Sequence, residues 1–183
     1  MKGDGRNAAE AARGEETGQR LPRWEELPDI ELYMDQVLIL VERYLGSMSG
    51  PDGRNLTASM VNNYVKQGVM PPPVRKKYGK IHLAYLLMIC CLKAAIPIAA
   101  IRTLLEKQLA DMPLEKVYAG FRGLFEKTAR DVSARGEETA EGELDPIFGA
   151  ALRSGAEQAL AMSLYRRKFG EAEEKNGTKA DGR

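Results

Sequence analysis

The chain has 183 residues, 44% of them hydrophobic, and a net charge of +1, which fits one domain or one domain with a small accessory unit. Only 7% of the residues are aromatic, a composition that favours helices over a sheet sandwich. The sequence begins with no apolar signal segment, and no apolar run approaches the ~20 residues of a membrane helix. We therefore expect a cytoplasmic protein with no membrane contact.

The first half of the chain is predicted to contain two helices separated by a loop. Residues 1–20 are polar and charged, and we predict a disordered tail there. A helix is expected after Asp29, where apolar residues recur at helical spacing. Thr57 is the predicted N-cap of the next helix, which ends near Gly68. The three prolines that follow exclude a helix and predict an extended or hairpin segment.

The second half is predicted to be helical throughout, apart from one acidic loop. A strongly apolar helix begins near Lys80, and Pro97 opens the next one. Two further helices carry apolar stripes over 114–125 and 148–164. The predicted class is all-α with at most a small β-hairpin. The predicted regions are a disordered tail (1–20), a first helical domain (21–110), a C-terminal helical extension (111–168) and a loose charged tail (169–183).

Charge is distributed unevenly along the chain. From Gly53 to Leu105 there is no Asp or Glu, whereas the same stretch carries eight Lys or Arg residues. A basic segment inside a nearly neutral chain indicates a local surface that faces a polyanion.

The helix that begins at Thr57 has one wholly polar face without an acid. Amide side chains can form hydrogen bonds with adenine edges, a lysine can bind phosphate, and a hydroxyl can bond to either. An ordinary solvated face is the alternative, but such faces usually mix Glu with Lys. We therefore predict DNA contact by this face, which consists of Ser59, Asn62, Asn63, Lys66 and Gln67.

A run of three bases, Arg75, Lys76 and Lys77, follows the prolines. Placed on the tip of a small wing, these bases would clamp phosphates, which supplies affinity and register but no sequence choice. The alternative is a solvated basic loop.

The order of these features resembles the winged-helix domain of the MerR family of transcriptional regulators. The resemblance covers residues 30–108 and rests on Thr57 as the cap, Tyr64 as the helix tyrosine, "KQGVMPPP" as the helix end, Tyr78 after the wing and "KAAIPIAAIRTLL". The chain also looks close to an uncharacterised bacterial family of MerR-like domains with the same "NNY" feature. The two tyrosines are expected to be mainly structural, with hydroxyls within reach of phosphate.

The resemblance implies that residues 21–110 form a MerR-like helix-turn-helix domain with a small wing, followed by extra C-terminal helices. It also implies a transcriptional regulator that places its recognition helix in the major groove of double-stranded DNA. The expected DNA-binding residues are Thr57, Ser59, Asn62, Asn63, Tyr64, Lys66, Gln67, Arg75, Lys76 and Lys77. Regulators of this fold pair across two half-sites, so a homodimer through the C-terminal helices is expected. The alternative is a protein-interaction module that keeps the fold without binding DNA.

Other reactive residues are interpreted as structural. His82 has no partner at ligand spacing, and Cys90 and Cys91 lie in an apolar run that predicts buried free thiols. The sequence contains no phosphate loop, Ser-His-Asp set or zinc motif. We therefore expect no enzyme activity, no cofactor and no metal.

Overall fold

Helices account for the regular structure of the chain. A computed structural model describes residues 20–46, 56–138 and 146–177, and in these ranges it contains six α-helices and no strand. The expected all-α class is confirmed for this part of the chain, and the predicted tail over 1–20 lies outside it except for Arg20. In chain order the helices are α1 (Met34–Leu45), α2 (Ala58–Lys66), α3 (Lys80–Leu92), α4 (Ile98–Asp111), α5 (Leu114–Glu138) and α6 (Pro146–Gly177).

Helix α3 forms the centre of the core. It packs against α1, α4 and α5, and Leu83, Leu86 and Leu87 are fully buried. Burial of a leucine side chain stabilises a fold by ~1.5–3 kcal/mol relative to exposure. The apolar composition of this helix is thus explained by neighbours on three sides.

A strap at the N-terminal end of the described chain joins the core to α5. Leu21 and Leu27 are buried on either side of a short 3-10 turn, Trp24–Glu26. The Tyr118 hydroxyl donates to the carbonyl of Pro22 at 2.9 Å, and the Tyr118 side chain is fully buried. The packed core therefore continues past the domain boundary predicted at residue 110, because this tyrosine of α5 lies inside it.

The last two helices are longer than the sequence suggested. Helix α5 runs to Glu138, into residues expected to form an acidic loop, and 139–145 lie outside the described residues. Helix α6 runs to Gly177, so the predicted loose tail over 169–183 is helical in its first part. Phe169 is buried, and the residues after it are mostly good helix formers, which explains the continuation.

Helix α6 has one face that packs against the rest of the molecule and another that does not. Ala161, Met162, Tyr165 and Phe169 pack against the core, and Gln158 donates to the carbonyl of Ala94 at 3.3 Å. At about 100° per residue, a second set of apolar side chains lies outside this packed face. This outer stripe consists of Phe148, Leu152, Leu160 and Leu164, which are 60%, 75%, 59% and 46% exposed.

Candidate nucleic-acid interface

Helix α2 begins at the residue that the sequence indicated. The hydroxyl of Thr57 accepts a hydrogen bond from the backbone N–H of Met60 at 3.2 Å, and Thr57 itself has extended backbone geometry. A capping side chain satisfies one of the four free N–H groups at a helix start. The prediction of Thr57 as the N-cap is confirmed, and its role in this structure is to fix the start of α2.

One side of α2 is anchored in the core. Val61 and Tyr64 are buried, and Met60 and Val65 are partly buried against them. Burial raises the pKa of the Tyr64 hydroxyl to about 12. Tyr64, expected to be mainly structural although it was included among the DNA-binding residues, is buried in the core at 3% exposure.

The opposite side of α2 is exposed and polar, as the sequence predicted. Within this face the side-chain amide of Gln67 donates to Oδ1 of Asn63 at 3.1 Å, so these two residues form an interlocked pair. In the described part of the chain, the Asn62 amide forms no hydrogen bond. Asn62 is therefore the amide of the face that is available to a ligand without breaking an existing bond. The exposed set is Ser59, Asn62, Asn63, Lys66 and Gln67.

The end of α2 is held by local and distant contacts. Gly68 has φ +68°, its N–H donates to Val65, and the N–H of Val69 donates to Tyr64 at 2.9 Å. These two bonds form a Schellman motif, in which a glycine in the left-handed region satisfies the last carbonyls of a helix. From α4, the Arg102 guanidinium donates to the carbonyl of Gln67 at 3.2 Å.

A tight turn carries the run of bases. Val74 and Lys77 exchange backbone hydrogen bonds of 3.1 and 2.9 Å, and Arg75 and Lys76 between them have φ values of 50° and 64°. This is the geometry of a type I′ turn, which Asn-Gly pairs favour because both central residues are left-handed. Two ordinary side chains in this region cost ~1–2 kcal/mol each. The sequence therefore keeps two bases at the tip at an energetic cost.

The three bases of the turn do not have equal surroundings. The Lys77 ammonium forms an ion pair with Glu31 at 2.8 Å and lies 5.7 Å from the centroid of the Tyr33 ring. The hydrogen bond to Glu31 raises the pKa of Lys77. Arg75 and Lys76 are exposed and form no ion pair within the described ranges. The free positive charge of the turn, the basic tip, is thus Arg75 and Lys76.

Both ends of the turn segment are attached to the core. Leu32, ahead of α1, and Tyr78 exchange two backbone hydrogen bonds of 2.8 Å. The ring of His82, in the first turn of α3, bonds to the backbone of Pro72 and of Gly79. His82 is 4% exposed, so it is a buried residue of the helix N-terminus.

Sequence reasoning missed four residues that hold this region together: Glu31, Tyr33, His82 and Arg102. Lys77 and Glu31 are 46 positions apart, and Arg102 and Gln67 are 35 apart. No periodic pattern marks such pairs. The sole available signal was the position of His82 three residues after Gly79, a spacing at which a side chain can bond to the residue that caps a helix.

Two acids from outside the 56–105 stretch are paired with bases of this region. Glu31 is engaged by Lys77, and Glu106 accepts from Arg102 at 2.7 Å. Lys66, Arg75 and Lys76 have no such partner among the described residues. Because residues 56–105 contain no acid, these exposed bases form a positively charged segment that attracts anions.

No helix in the described part of the chain combines the length and apolar character needed to cross a bilayer. No group of three or more metal-binding side chains comes together there either.

Comparison with curated proteins and with solved structures gives no match. In the comparison with protein families, residues 22–121 match a family described as a domain of unknown function, DUF1836. The match begins at the strap, includes α1 to α4 with the turn, and ends shortly after Tyr118 in α5. Because it spans more than half of the 183 residues, the chain belongs to the DUF1836 family.

Proposed function

We propose that this protein is a DNA-binding transcriptional regulator of the MerR-like winged-helix type. Helix α2 enters the major groove with its polar face, and the basic tip acts as a small wing on the phosphates. The observation that carries the proposal is the set of exposed, unpaired bases, Lys66, Arg75 and Lys76, in a stretch of the described chain, 56–105, whose sequence contains no acid. Positive side chains of this kind can bind the regularly spaced phosphates of the DNA backbone.

The covalent chain limits how far apart the two contacts can lie. Nine peptide units join Lys66 to Arg75, and an extended chain spans at most ~3.3–3.6 Å per residue, so the two are within about 30 Å. One turn of duplex is about 34–36 Å long. Helix α2 and the basic tip can therefore contact one duplex within a single helical turn.

A second copy of the chain would bind through α6 to form a homodimer. The outer stripe of α6 is apolar, exposed and outside the face that packs on the core. A two-fold axis would place this stripe against its own copy, because the same patch then serves both subunits. The pairing places two recognition helices on two half-sites.

The salt dependence of binding tests the proposal. The full chain is titrated with random duplex DNA and with fragments recovered from the native host by pull-down, over a range of salt concentrations. Affinity should fall steeply, with a slope of about −0.9 per phosphate contact. A variant with Lys66, Arg75 and Lys76 changed to Ala should lose about three units of slope.

A matched variant removes three positive charges from α5, away from the proposed pairing surface: Lys116, Lys127 and Arg130, all exposed, changed to Ala. Its slope should equal that of the unchanged protein. Equal losses of salt slope in the two variants would show that positive charges attract DNA regardless of their position on the protein. Affinity that does not respond to salt would favour the alternative function, a protein-interaction module that keeps the fold and presents α2 to a partner protein.

A further inference from the structure

His82 connects the two ends of the segment that carries the basic tip. Its Nδ1 lies 2.9 Å from the backbone nitrogen of Gly79, and its Nε2 lies 3.2 Å from the carbonyl oxygen of Pro72. The residues between these two anchors, 73–78, contain the whole turn. One imidazole ring is therefore hydrogen-bonded to the backbone both before and after the turn. We call this pair of hydrogen bonds the clamp.

The two hydrogen-bonding partners determine which ring nitrogen of His82 carries the proton. The backbone N–H of Gly79 can only donate, so Nδ1 must be a bare acceptor. The carbonyl of Pro72 can only accept, so Nε2 must carry the hydrogen. The clamp therefore requires the neutral ring with its proton on Nε2.

A second proton on the ring would break this arrangement. In the imidazolium both nitrogens are donors, so an Nδ1–H would meet the N–H of Gly79 and the hydrogen bond would be lost. The new positive charge would also stand in the first turn of α3, where the helix dipole disfavours cations.

The groups around His82 do not offset that charge. From the turn, the Tyr78 ring meets the imidazole edge at 5.4 Å between centroids, and the Lys77 ammonium is engaged by Glu31. From α3 itself, the Lys80 ammonium lies over the Trp24 ring. The buried side of α1 is apolar, as at Val37. No carboxylate of the described residues forms an ion pair with the imidazole.

We propose that His82 is a positioning residue whose neutral ring holds the basic tip in its DNA-competent conformation, so that protonation of His82 releases the turn and weakens DNA binding. The second half of this statement rests on the proposed function, whereas the release of the turn does not. Histidine is the side chain that ordinarily changes charge between about pH 5 and pH 8. The chain contains one histidine, so all imidazole nitrogen signals come from a single ring.

The direction of the effect separates this proposal from simple electrostatics. A cationic histidine that touched DNA would strengthen binding on acidification, because it adds a positive charge next to phosphates. Release of the turn predicts the opposite. A single coupled proton weakens binding by up to about tenfold per pH unit.

The first experiment does not use DNA. Nitrogen-15 NMR of the full chain follows the two ring nitrogens of its single histidine between about pH 7.5 and pH 5.5. The expected signals at the upper end are those of the Nε2–H tautomer. As the ring protonates, the protection factor of the Gly79 amide, which is its exchange rate relative to that of an unfolded peptide at the same pH, should fall by about tenfold or more, while amides of α3 such as Leu87 keep their protection. The Nδ1–H tautomer, or a protection factor at Gly79 that does not change as the ring protonates, would overturn the clamp.

The second experiment measures affinity for duplex DNA over the same pH range at constant ionic strength. The variant His82→Gln keeps an acceptor that can reach the capping N–H but does not titrate in this range. The unchanged protein should lose about fivefold or more in affinity, and His82→Gln less than about twofold. Binding that strengthens on acidification, or one profile for both proteins, would overturn the coupling to DNA.

The two experiments separate the two hypotheses. If the protein binds no DNA at any pH, the proposed function fails, and the NMR measurement still decides whether His82 clamps the turn. If His82→Gln does not fold, the NMR measurement on the unchanged chain decides the clamp, and its DNA affinity on acidification decides the coupling by its direction.

Discussion

The exposed face of α2 and the outer stripe of α6 are both solvent-facing helix surfaces, but they are held in different ways. Helix α2 has nine residues and is fixed by a cap at Thr57, a Schellman motif at Gly68 and the guanidinium of Arg102. Helix α6 has 32 residues and packs on the core through a short set of side chains in its second half. A short helix with so many fixed contacts presents its polar side chains in one geometry, as recognition of base edges requires.

The two surfaces also differ in the kinds of side chain that they expose to solvent. The α2 face exposes hydrogen-bonding amides and free positive charge, whereas α6 exposes large apolar side chains such as Leu152. Water solvates the first set well and the second poorly, so an apolar stripe indicates a protein partner. The family match ends at residue 121 and so includes the first surface but not the second. Recognition and pairing would thus belong to separate parts of the chain.

The largest expected effect comes from removing the pairing surface. Deletion of residues 146–183 should give a folded monomer whose affinity for a two-half-site operator falls by about 10²-fold or more, because the two half-sites are no longer bound together. Light scattering and operator titration measure the two changes. The double variant Leu152→Glu and Leu160→Glu should act in the same way, since it places charges in the stripe.

Leu124→Glu is the control for pairing. Leu124 is also an exposed leucine, 65% accessible, but it lies on α5. This variant should stay dimeric. A full-length chain that is already monomeric at micromolar concentration would contradict the pairing and leave α6 without this role.

A smaller effect is expected from the amides of α2. Asn62→Ala should cost about 1–3 kcal/mol of discrimination between a preferred and a random duplex, with non-specific binding nearly unchanged. Asn63→Ala should cost less within the same range, because Asn63 already bonds to Gln67. Competition titrations with both duplexes measure the difference. Full sequence preference in both variants would rule out base readout by α2.

The turn allows stability and binding to be changed in opposite directions. Replacing Arg75 and Lys76 with Asn and Gly should raise the free energy of unfolding by about 1–2 kcal/mol, since this pair favours a type I′ turn. The same variant should bind DNA more weakly at every sequence, with about two units less salt slope. Denaturant unfolding and salt titration measure the two quantities. A gain in stability with unchanged binding would place the basic tip away from DNA.

The smallest expected effect distinguishes the bases within the turn. Lys77→Ala should leave the salt slope unchanged, because Lys77 is paired with Glu31, whereas Lys76→Ala should lower it by about one unit. Salt titrations of the two single variants provide the comparison. Equal slopes would mean that the Lys77 ammonium leaves Glu31 when DNA is bound.

Local patterns in the sequence predicted much of the α2 region. A capping residue, an alternation of apolar and polar positions and a glycine are signals within a few residues of one another, and they gave the start, inner side and end of α2. The contacts that hold the turn join residues far apart in sequence, such as Glu31 with Lys77, and no local rule indicates them. The lengths of α5 and α6 were underestimated because runs of Glu, Ala and Lys look like loops when charge is weighed ahead of helix propensity.

The two thiols of α3 give the protein an internal reporter of core opening. Cys90 is buried and Cys91 is half-buried, and burial raises their pKa values to about 11 and about 12. Because the thiolate is the reactive form, an alkylating reagent at neutral pH should modify these residues when the helices around α3 separate. The rate of modification then measures opening of the native core without an added probe. A cysteine introduced at the exposed basic tip would react far faster than these buried thiols. It could therefore be labelled selectively while Cys90 and Cys91 stay unmodified in the native core.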